Sequence, residues 1–474
     1  MELTDVSVLA VLGLARSGRA AALLARRALP GVAVVAVDEG ARPPADAVAE
    51  LRAAGVEVLV GAAAALPDGV DLLVKSPGVP NESLTVQEAL RRRIPVWSEV
   101  EFAARFLDNR VIGITGTNGK TTTTELTGAI FRDAGLPVAV GGNVGTALAG
   151  MPGTVAPDAV VVAELSSFQL EHVERFRPDV AVLLNLTADH IDRHGDYRGY
   201  VDAKLRIFEF QVETDVALLN ADDPGTLAEA EAGRLDGRAR RLWFSARAGA
   251  LQAPGGALAA GVDAGGMLWL DLAGERVSLC PVGELALRGE HNLQNSLAAA
   301  VAACSAGVPA EAAAHTLRTF EGVPHRLQVA GLVDGVTYVN DSKATNVDAT
   351  LKALTAYSGG VHLILGGYDK GADYADLAAA TEGRVKQALL IGATTPQLRR
   401  AFAARAAQGC DATPFVDCGD LEAAVYLAAK DAVPGDVVLL SPACASWDQY
   451  RDYEQRGEQF LKLVGELRSR SLKT

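Results

Sequence analysis

The sequence predicts an α/β chain of three domains built on parallel sheets. Its 474 residues suggest three units at about 150 residues per domain. Short apolar, β-branched segments alternate along it with Ala-rich helical segments, the pattern of strands joined by crossover helices. Several of those apolar segments run straight into glycine-bearing or polar clusters, where α/β sheets place their ligand sites.

The first unit, residues 1–98, opens as strand, tight turn and helix. Val6 to Leu12 is apolar, Gly13 to Gly18 is the turn, and Arg19 to Arg27 is helical. A second buried strand, Val32 to Val37, ends in Asp38. Another apolar stretch, Val70 to Val74, runs into the Lys75–Pro80 loop.

The second unit, residues 99–322, restarts with strand Val111 to Thr115, loop Gly116 to Lys120 and helix Thr121 to Ala134. Strands follow at Ala159–Ala163 and Val180–Asn185. Ala246 to Leu287 reads as a β-rich excursion with hairpins, and a helix runs from Asn292 to Ala306. The third unit, residues 323–474, carries strands Val336–Val339, His362–Leu365, Ala388–Ile391 and Val437–Leu440 with helices between them.

Composition narrows the function. Apolar residues make up 49%, charged residues 22% and aromatics 5%, as in a globular protein. The net charge of −14 disfavours nucleic acid or an anionic membrane as partner. Cys280, Cys304, Cys410, Cys418 and Cys444 are odd in number with no C-x-x-C pair, which points to a reducing cytoplasm rather than disulfides or zinc. Met1 to Leu12 lacks a basic stretch followed by an apolar core, so no secretory leader is expected. No apolar run approaches the ~20 residues of a membrane span.

The strongest motif is Thr115-Gly116-Thr117-Asn118-Gly119-Lys120-Thr121-Thr122, between a strand and a helix. Its glycines let backbone N–H groups converge on one anion, and the helix adds its positive end. Lys120 can reach terminal phosphates and the Thr121 hydroxyl can ligate Mg²⁺. The usual loop has a fifth-position glycine before Gly119, where this chain has Ile114.

Gly13-x-Ala15-x-x-Gly18, with Asp38 twenty residues on, resembles the dinucleotide fingerprint with its second glycine replaced. On its own it leaves NAD, another nucleotide and a structural turn as readings. Glu164 at a strand end, in Glu164-Leu165-Ser166-Ser167-Phe168-Gln169, is well placed to hold Mg²⁺. Asn185–His190 puts His190 on the same rim. Asn292 and Asn295 share a helical face with amides suited to adenine. Clusters at 340–346 and 441–450 follow strands of the third unit. Cys444 lacks an accompanying base and reads as a buried core thiol.

Together these motifs resemble the Mur ligase family of ATP-dependent amide-forming enzymes, over nearly the whole chain. Thr-Gly-Thr-Asn-Gly-Lys-Thr-Thr at 115–122 and His-Asn at 291–292 match the family at large. Glu-Leu-Ser-Ser-Phe-Gln-Leu-Glu at 164–171, Asn-Asp-Ser-Lys-Ala-Thr-Asn at 340–346 and Ser-Pro-Ala-Cys-Ala-Ser-Trp-Asp-Gln-Tyr at 441–450 point to a member that adds D-glutamate to UDP-N-acetylmuramoyl-L-alanine. The Asp-Asn-Pro-Arg motif of the diamino-acid-adding members is absent.

The resemblance implies a Rossmann-like N-terminal domain, a central P-loop-type ATPase domain and a Rossmann-like C-terminal domain. It implies a UDP site at Leu14, Arg16, Ser17, Gly18, Asp38 and Gly78, which favours UDP over NAD, with Asn143 and Ser166 also on the substrate. Gly116, Thr117, Asn118, Gly119, Lys120, Thr121 and Thr122 would cradle ATP phosphates, Asn292 and Asn295 would face adenine, and Arg326, Asp341 and Lys343 would reach ribose and phosphates. Two Mg²⁺ ions, with Mn²⁺ as a substitute, would be held by Thr121, Glu164, His190 and a carbamylated Lys204. Lys120, His190 and Lys204 would carry the chemistry. Thr345, Lys370, Ser446, Trp447 and Tyr453 would surround the incoming glutamate; similar enzymes carry Leu and Phe where this chain has Trp447 and Tyr453. A cytoplasmic monomer that closes its domains around ATP is implied.

Two rivals explain less. A dehydrogenase accounts for residues 1–40 and leaves 115–122 unexplained. A non-catalytic ATP-binding module predicts hydrolysis indifferent to amino acids. Folyl-polyglutamate synthesis fits neither the Asp38-containing domain nor the 441–450 motif. The acidic charge is concentrated in 99–322, at −11, against −1 before it and −2 after it. Binding of anionic ligands there must rest on the helix N-terminus, Lys120 and metal.

Overall fold

The computed structural model describes residues 2–40, 44–61, 66–248, 253–254, 257–368, 372–408 and 412–471. The chain divides into two compact units, Met1–Phe320 and Glu321–Thr474.

The first unit holds two sheets. In one, β1 (Val8–Leu12), β2 (Ala33–Asp38), β3 (Glu57–Val60), β4 (Leu72–Lys75) and β5 (Val96–Ser98) run parallel in the order β3-β2-β1-β4-β5. Helices cover both faces, so β1 is buried along Leu9–Leu12 and reads as a continuous apolar run. The following helix, Arg16–Ala28, starts three residues earlier than the sequence suggests. The turn is tight enough that a Cβ on Gly18 would overlap the carbonyl oxygen of Gly13. Only glycine allows the helix to begin so close to the strand.

The other sheet comprises β6 (Val111–Thr115), β7 (Val138–Gly142), β8 (Val160–Glu164), β9 (Val180–Leu183), β10 (Val216–Asn220), β11 (Arg240–Ala248), β12 (Ala257–Val262), β13 (Met267–Leu270) and β14 (Val277–Pro281). Their order is β14-β13-β12-β11-β10-β9-β6-β8-β7. The pairings from β7 through β12 are parallel; β12–β13 and β13–β14 are antiparallel, so the β-rich excursion extends the same sheet. Helix Lys120–Asp133 packs on one face with helix Glu290–Ser305, whose alanine-rich run Ala298–Ala303 is fully buried.

One apolar cluster explains why two sheets make one unit. Leu9, Leu24 and Val74 of the first sheet layer share a core with Val100, Phe102, Val161, Leu170 and Ile207. The Ser98–Val111 passage thus separates two sheets without separating two cores.

The second unit has β15 (Gln328–Val333), β16 (Val336–Asn340), β17 (Val361–Gly366), β18 (Val385–Ile391), β19 (Phe415–Gly419) and β20 (Val437–Leu440), ordered β15-β16-β20-β17-β18-β19. Only the edge pair β15–β16 is antiparallel among these strands. The sequence reading left β15 out. Its signal was the dipeptide Asp334-Gly335, with φ of 50° and 78°, which makes the two-residue hairpin turn. No helix of the described residues is long and apolar enough to cross a membrane.

Candidate active site

β6 sits between β8 and β9, at the point where the strand order reverses. The loop after it therefore opens at the carboxyl edge of the sheet, where such folds bind ligands. Gly119 caps helix Lys120–Asp133 with φ 82°, and a Cβ there would overlap the Asn295 side-chain oxygen. The loop is pinned to the end of β9: Thr117 N donates to Asn185 O at 3.0 Å, and Asn118 N donates to Asn185 Oδ1 at 2.8 Å. This holds the first N–H groups of the helix, which lack intrahelical partners, at one spot on the rim.

Two lysines converge on that loop. Lys120 Nζ donates to the carbonyls of Gly116 and Thr117, both at 2.8 Å. Lys204, 1% exposed, donates to the Gly116 carbonyl at 2.8 Å and lies 4.8 Å from the Tyr200 ring centre. Burial, then the charge of Lys120, pushes the Lys204 amine well below the ordinary lysine range, against the opposing pull of Asp189 and Glu164. Tyr200 in turn shares a hydrogen bond with Thr117 Oγ1 at 2.9 Å.

Glu164 ends β8 on the same rim. Its Oε1 accepts from Asn143 Nδ2 at 2.9 Å, while the buried Oε2 has no hydrogen-bond partner. A buried, unpartnered carboxylate oxygen beside a phosphate loop fits a cation. Among the described residues no group of three or more His, Cys, Asp and Glu is gathered. A metal here would therefore need ligands beyond His, Cys, Asp and Glu side chains, from hydroxyl, phosphate or modified lysine. His190 adopts φ 50°, is about half exposed, and packs at a tilt against Phe168 with ring centroids 4.9 Å apart.

A cavity of about 640 Å³ lies at the switch point of the first sheet, between β1 and β4. Leu14, Arg16, Ser17, Asp38, Ser76, Gly78 and Asn143 line it, and Gln169 joins them. Gly18 lies behind the lining and shapes the turn. Asp38 accepts backbone N–H groups from Leu14 and Gly40, each at 2.8 Å, so its carboxylate braces the loop that walls the cavity. Ser166 is engaged in a capping box with Gln169.

Asn143 joins the cavity to the loop. Its carbonyl accepts from Arg16 at 2.6 Å, its N–H donates to the Glu164 carbonyl at 2.8 Å, and its amide holds Glu164 Oε1.

Sequence reasoning missed a buried charged cluster beside this path. Glu171 Oε2 accepts from Lys75 and Arg193, both at 3.1 Å. Burial opposes ionisation of Glu171, but Lys75 and Arg193 more than offset it and hold its carboxyl below the usual range. Its signal was a lysine closing the apolar strand Leu72–Lys75.

In the second unit, Asp341 follows β16. It accepts from Ser441 Oγ at 2.7 Å and from Leu327 N at 3.2 Å, and burial raises its carboxyl to about 6. Lys343 lies 5.8 Å from the Tyr453 ring, and Thr345 N donates to Lys343 O. Ser446 is buried, whereas Trp447 is 63% exposed and packs at 5.8 Å on Tyr368. Arg326 is exposed, and Lys370 lies outside the described residues. A second missed residue organises this rim. Arg456, fully buried, donates to the carbonyls of Ser342, Cys444 and Ala445 at 2.8 to 3.4 Å and to Ser342 Oγ.

Residues 114–303 match the Mur ligase middle domain, and residues 325–444 match the Mur ligase, glutamate ligase domain. A UDP-N-acetylmuramoylalanine–D-glutamate ligase of Solibacter usitatus is 45% identical over 98% of this chain and 99% of its own length. The chain belongs to the Mur ligase family. A protein with the same designation from Anaeromyxobacter dehalogenans is 46% identical over 96% of this chain and 97% of its own. Among solved Mur ligases, MurF from Acinetobacter baumannii superposes with a TM-score of 0.55 at 18% identity, covering 97% of this chain and 93% of that one. UDP-N-acetylmuramate-alanine ligase from Thermotoga maritima gives 0.53 at 17% identity, covering 98% and 100%. At those identities the two structures establish the shared Mur ligase fold.

The Mur ligase phosphate loop, Glu164, Lys204 and the cavity residues thus lie within one compact unit. Asn295 sits behind the loop, its Oδ1 accepting from Thr123 at 3.3 Å and its amide donating to Asn292 at 3.2 Å.

Proposed function

We propose that this chain is an ATP-dependent, ADP-forming ligase that joins D-glutamate to UDP-N-acetylmuramoyl-L-alanine in the synthesis of peptidoglycan precursors. The observation that carries this reading is Asn143, which links the switch-point cavity to Glu164, on the rim beside the phosphate loop. The full-length similarity to relatives named for that reaction supports it.

A carboxylate is a poor acyl donor. Transfer of the ATP γ-phosphoryl group to the alanine carboxylate makes an acyl phosphate; the glutamate amine attacks, the tetrahedral intermediate collapses, and phosphate leaves with the amide formed. In this reading Arg16, Asp38 and Gly78 seat the UDP end, and Asn143 and Ser166 steer the muramoyl-alanine toward Lys120. The loop N–H groups and Lys120 hold the ATP phosphates. Thr121, Glu164 and His190 would hold Mg²⁺, or Mn²⁺ in its place, with two ions in all. When bound, the metal supplies neutralisation of charge on the transferring phosphoryl group. Burial pushes the Lys204 amine well below the ordinary lysine range and so favours its neutral form, the form that adds CO₂ to give a carbamate, and the carbamate would supply a further anionic oxygen ligand.

In the same reading residues 1–98 bind the UDP substrate, 99–322 bind ATP, and 323–474 serve glutamate and ATP. Arg326, Asp341 and Lys343 are assigned to ribose and phosphates, and Thr345, Lys370, Ser446, Trp447 and Tyr453 to glutamate. Asn292 serves adenine, with Asn295 holding it. The enzyme works as a cytoplasmic monomer.

The test is phosphate release with UDP-N-acetylmuramoyl-L-alanine and a panel of D- and L-amino acids. Release that requires both the UDP substrate and D-glutamate is expected. ATP hydrolysis indifferent to the amino acid would overturn the reading.

A further inference from the structure

Four groups from three stretches of the chain meet behind the cavity. The Lys75 ammonium, with none of its side chain exposed, donates to Val79 O at 2.9 Å and to Glu171 Oε2 at 3.1 Å. Arg193 donates from Nη2 to the same Val79 oxygen at 2.8 Å, to Pro77 O at 3.2 Å and to Glu171 Oε2 at 3.1 Å. Both cations therefore grip the backbone of the loop that carries Gly78, a wall of the cavity, and one carboxylate bridges them. His194 completes the cluster, with Nδ1 at 3.6 Å from Glu171 Oε1 and Nε2 at 2.9 Å from Ser167 Oγ.

The same arginine reaches the reaction rim. Its guanidinium lies 4.5 Å over the Phe168 ring, which stacks on His194 at 5.5 Å and meets the His190 ring at a tilt of 54° with centroids 4.9 Å apart. Helix Ile191–His194, which bears Arg193, begins directly after His190. Without Glu171, two buried cations would face each other across one carbonyl oxygen, and neither would hold its place.

We propose that Glu171 is a positioning residue for the UDP substrate: through Lys75 and Arg193 it sets the Ser76–Pro80 wall of the cavity. This rests on the functional reading above. It assigns a substrate-selective task to a side chain that touches neither the cavity nor the phosphate loop.

Steady-state kinetics on the full-length enzyme test it. Glu171→Gln keeps the size of the side chain and removes the charge. It is expected to raise KM for UDP-N-acetylmuramoyl-L-alanine about tenfold or more while leaving KM for ATP and for glutamate within about twofold. The double variant Lys75→Met with Glu171→Gln leaves fewer unpaired buried charges and is expected to show the same selectivity at a Tm closer to wild type. Arg193→Lys keeps the charge and gives up the branched guanidinium grip on the loop, so it should show a smaller rise in the same constant. Unchanged KM for the UDP substrate in these variants, or an equal rise for all three substrates, overturns the positioning role. Absence of UDP-substrate-dependent turnover in the wild type is a separate result, which overturns the functional reading and the inference with it.

Discussion

Lys120 and Lys204 donate to the same oxygen, the Gly116 carbonyl, each at 2.8 Å. Burial first, and then repulsion from the Lys120 ammonium on the shared acceptor, pushes the Lys204 amine well below the ordinary lysine range. The neutral amine is the form that the proposed carbamylation requires. Lys204→Ala should therefore lose activity by about a hundredfold or more, and added formate, acetate or bicarbonate should restore part of it. Phosphate release measures both. Wild-type rates from Lys204→Ala without additives would remove the lysine from the mechanism.

Gly119 has φ 82° and no room for a Cβ beside Asn295. Gly119→Ala should cost about 1–3 kcal/mol of stability and weaken ATP binding, because the loop must shift away from the helix start. Thermal unfolding and calorimetric titration with ATP report the two effects. ATP affinity equal to wild type would show that the loop tolerates the side chain.

Glu99 gives a pH signature. It is fully buried at the start of helix Glu99–Ala104; burial raises its carboxyl to about 7, although Ala149 N donates to it. An acid whose folded pKa lies above its unfolded value leaves the folded state holding the extra proton between the two. Stability therefore falls as pH rises from 4.5 to about 7 and is flat above that. Glu99→Gln should remove this slope, for a relative gain of up to about 3 kcal/mol at pH 8 compared with pH 5. Parallel wild-type and variant curves of Tm against pH would refute it.

Arg456 ties together the segments after β16 and β20 in the second unit. Arg456→Met should leave buried carbonyls unpaired, lower stability by about 2–4 kcal/mol, and raise KM for glutamate more than KM for the UDP substrate. Arg456→Lys should recover only part of either effect. A KM for glutamate that stays at the wild-type value in a folded Arg456→Met enzyme would contradict it.

Much of the candidate site was legible because its signals are local. The glycines and Lys120 of the phosphate loop announce themselves by spacing between a strand and a helix, and the structure places that loop at a strand-order reversal. Glu164 and Asp38 were found because each closes an apolar strand. The Asp334-Gly335 hairpin was equally local and was passed over, since β15 alternates weakly and its Val329 and Leu332 are exposed.

By itself the sequence determined the alternation of strands and helices, the three sheets they form and the chemical identity of the groups at the rims. Those follow from periodicity, glycine spacing and side-chain type, which neighbouring residues settle. Only the tertiary structure decided that Lys75 and Glu171 meet across 96 residues, that Arg16 and Asn143 meet across 127, and that two sheets share one core. Such meetings depend on strand order and on which faces pack together, and a carboxylate that will be buried between two cations looks, along the chain, like any solvated glutamate.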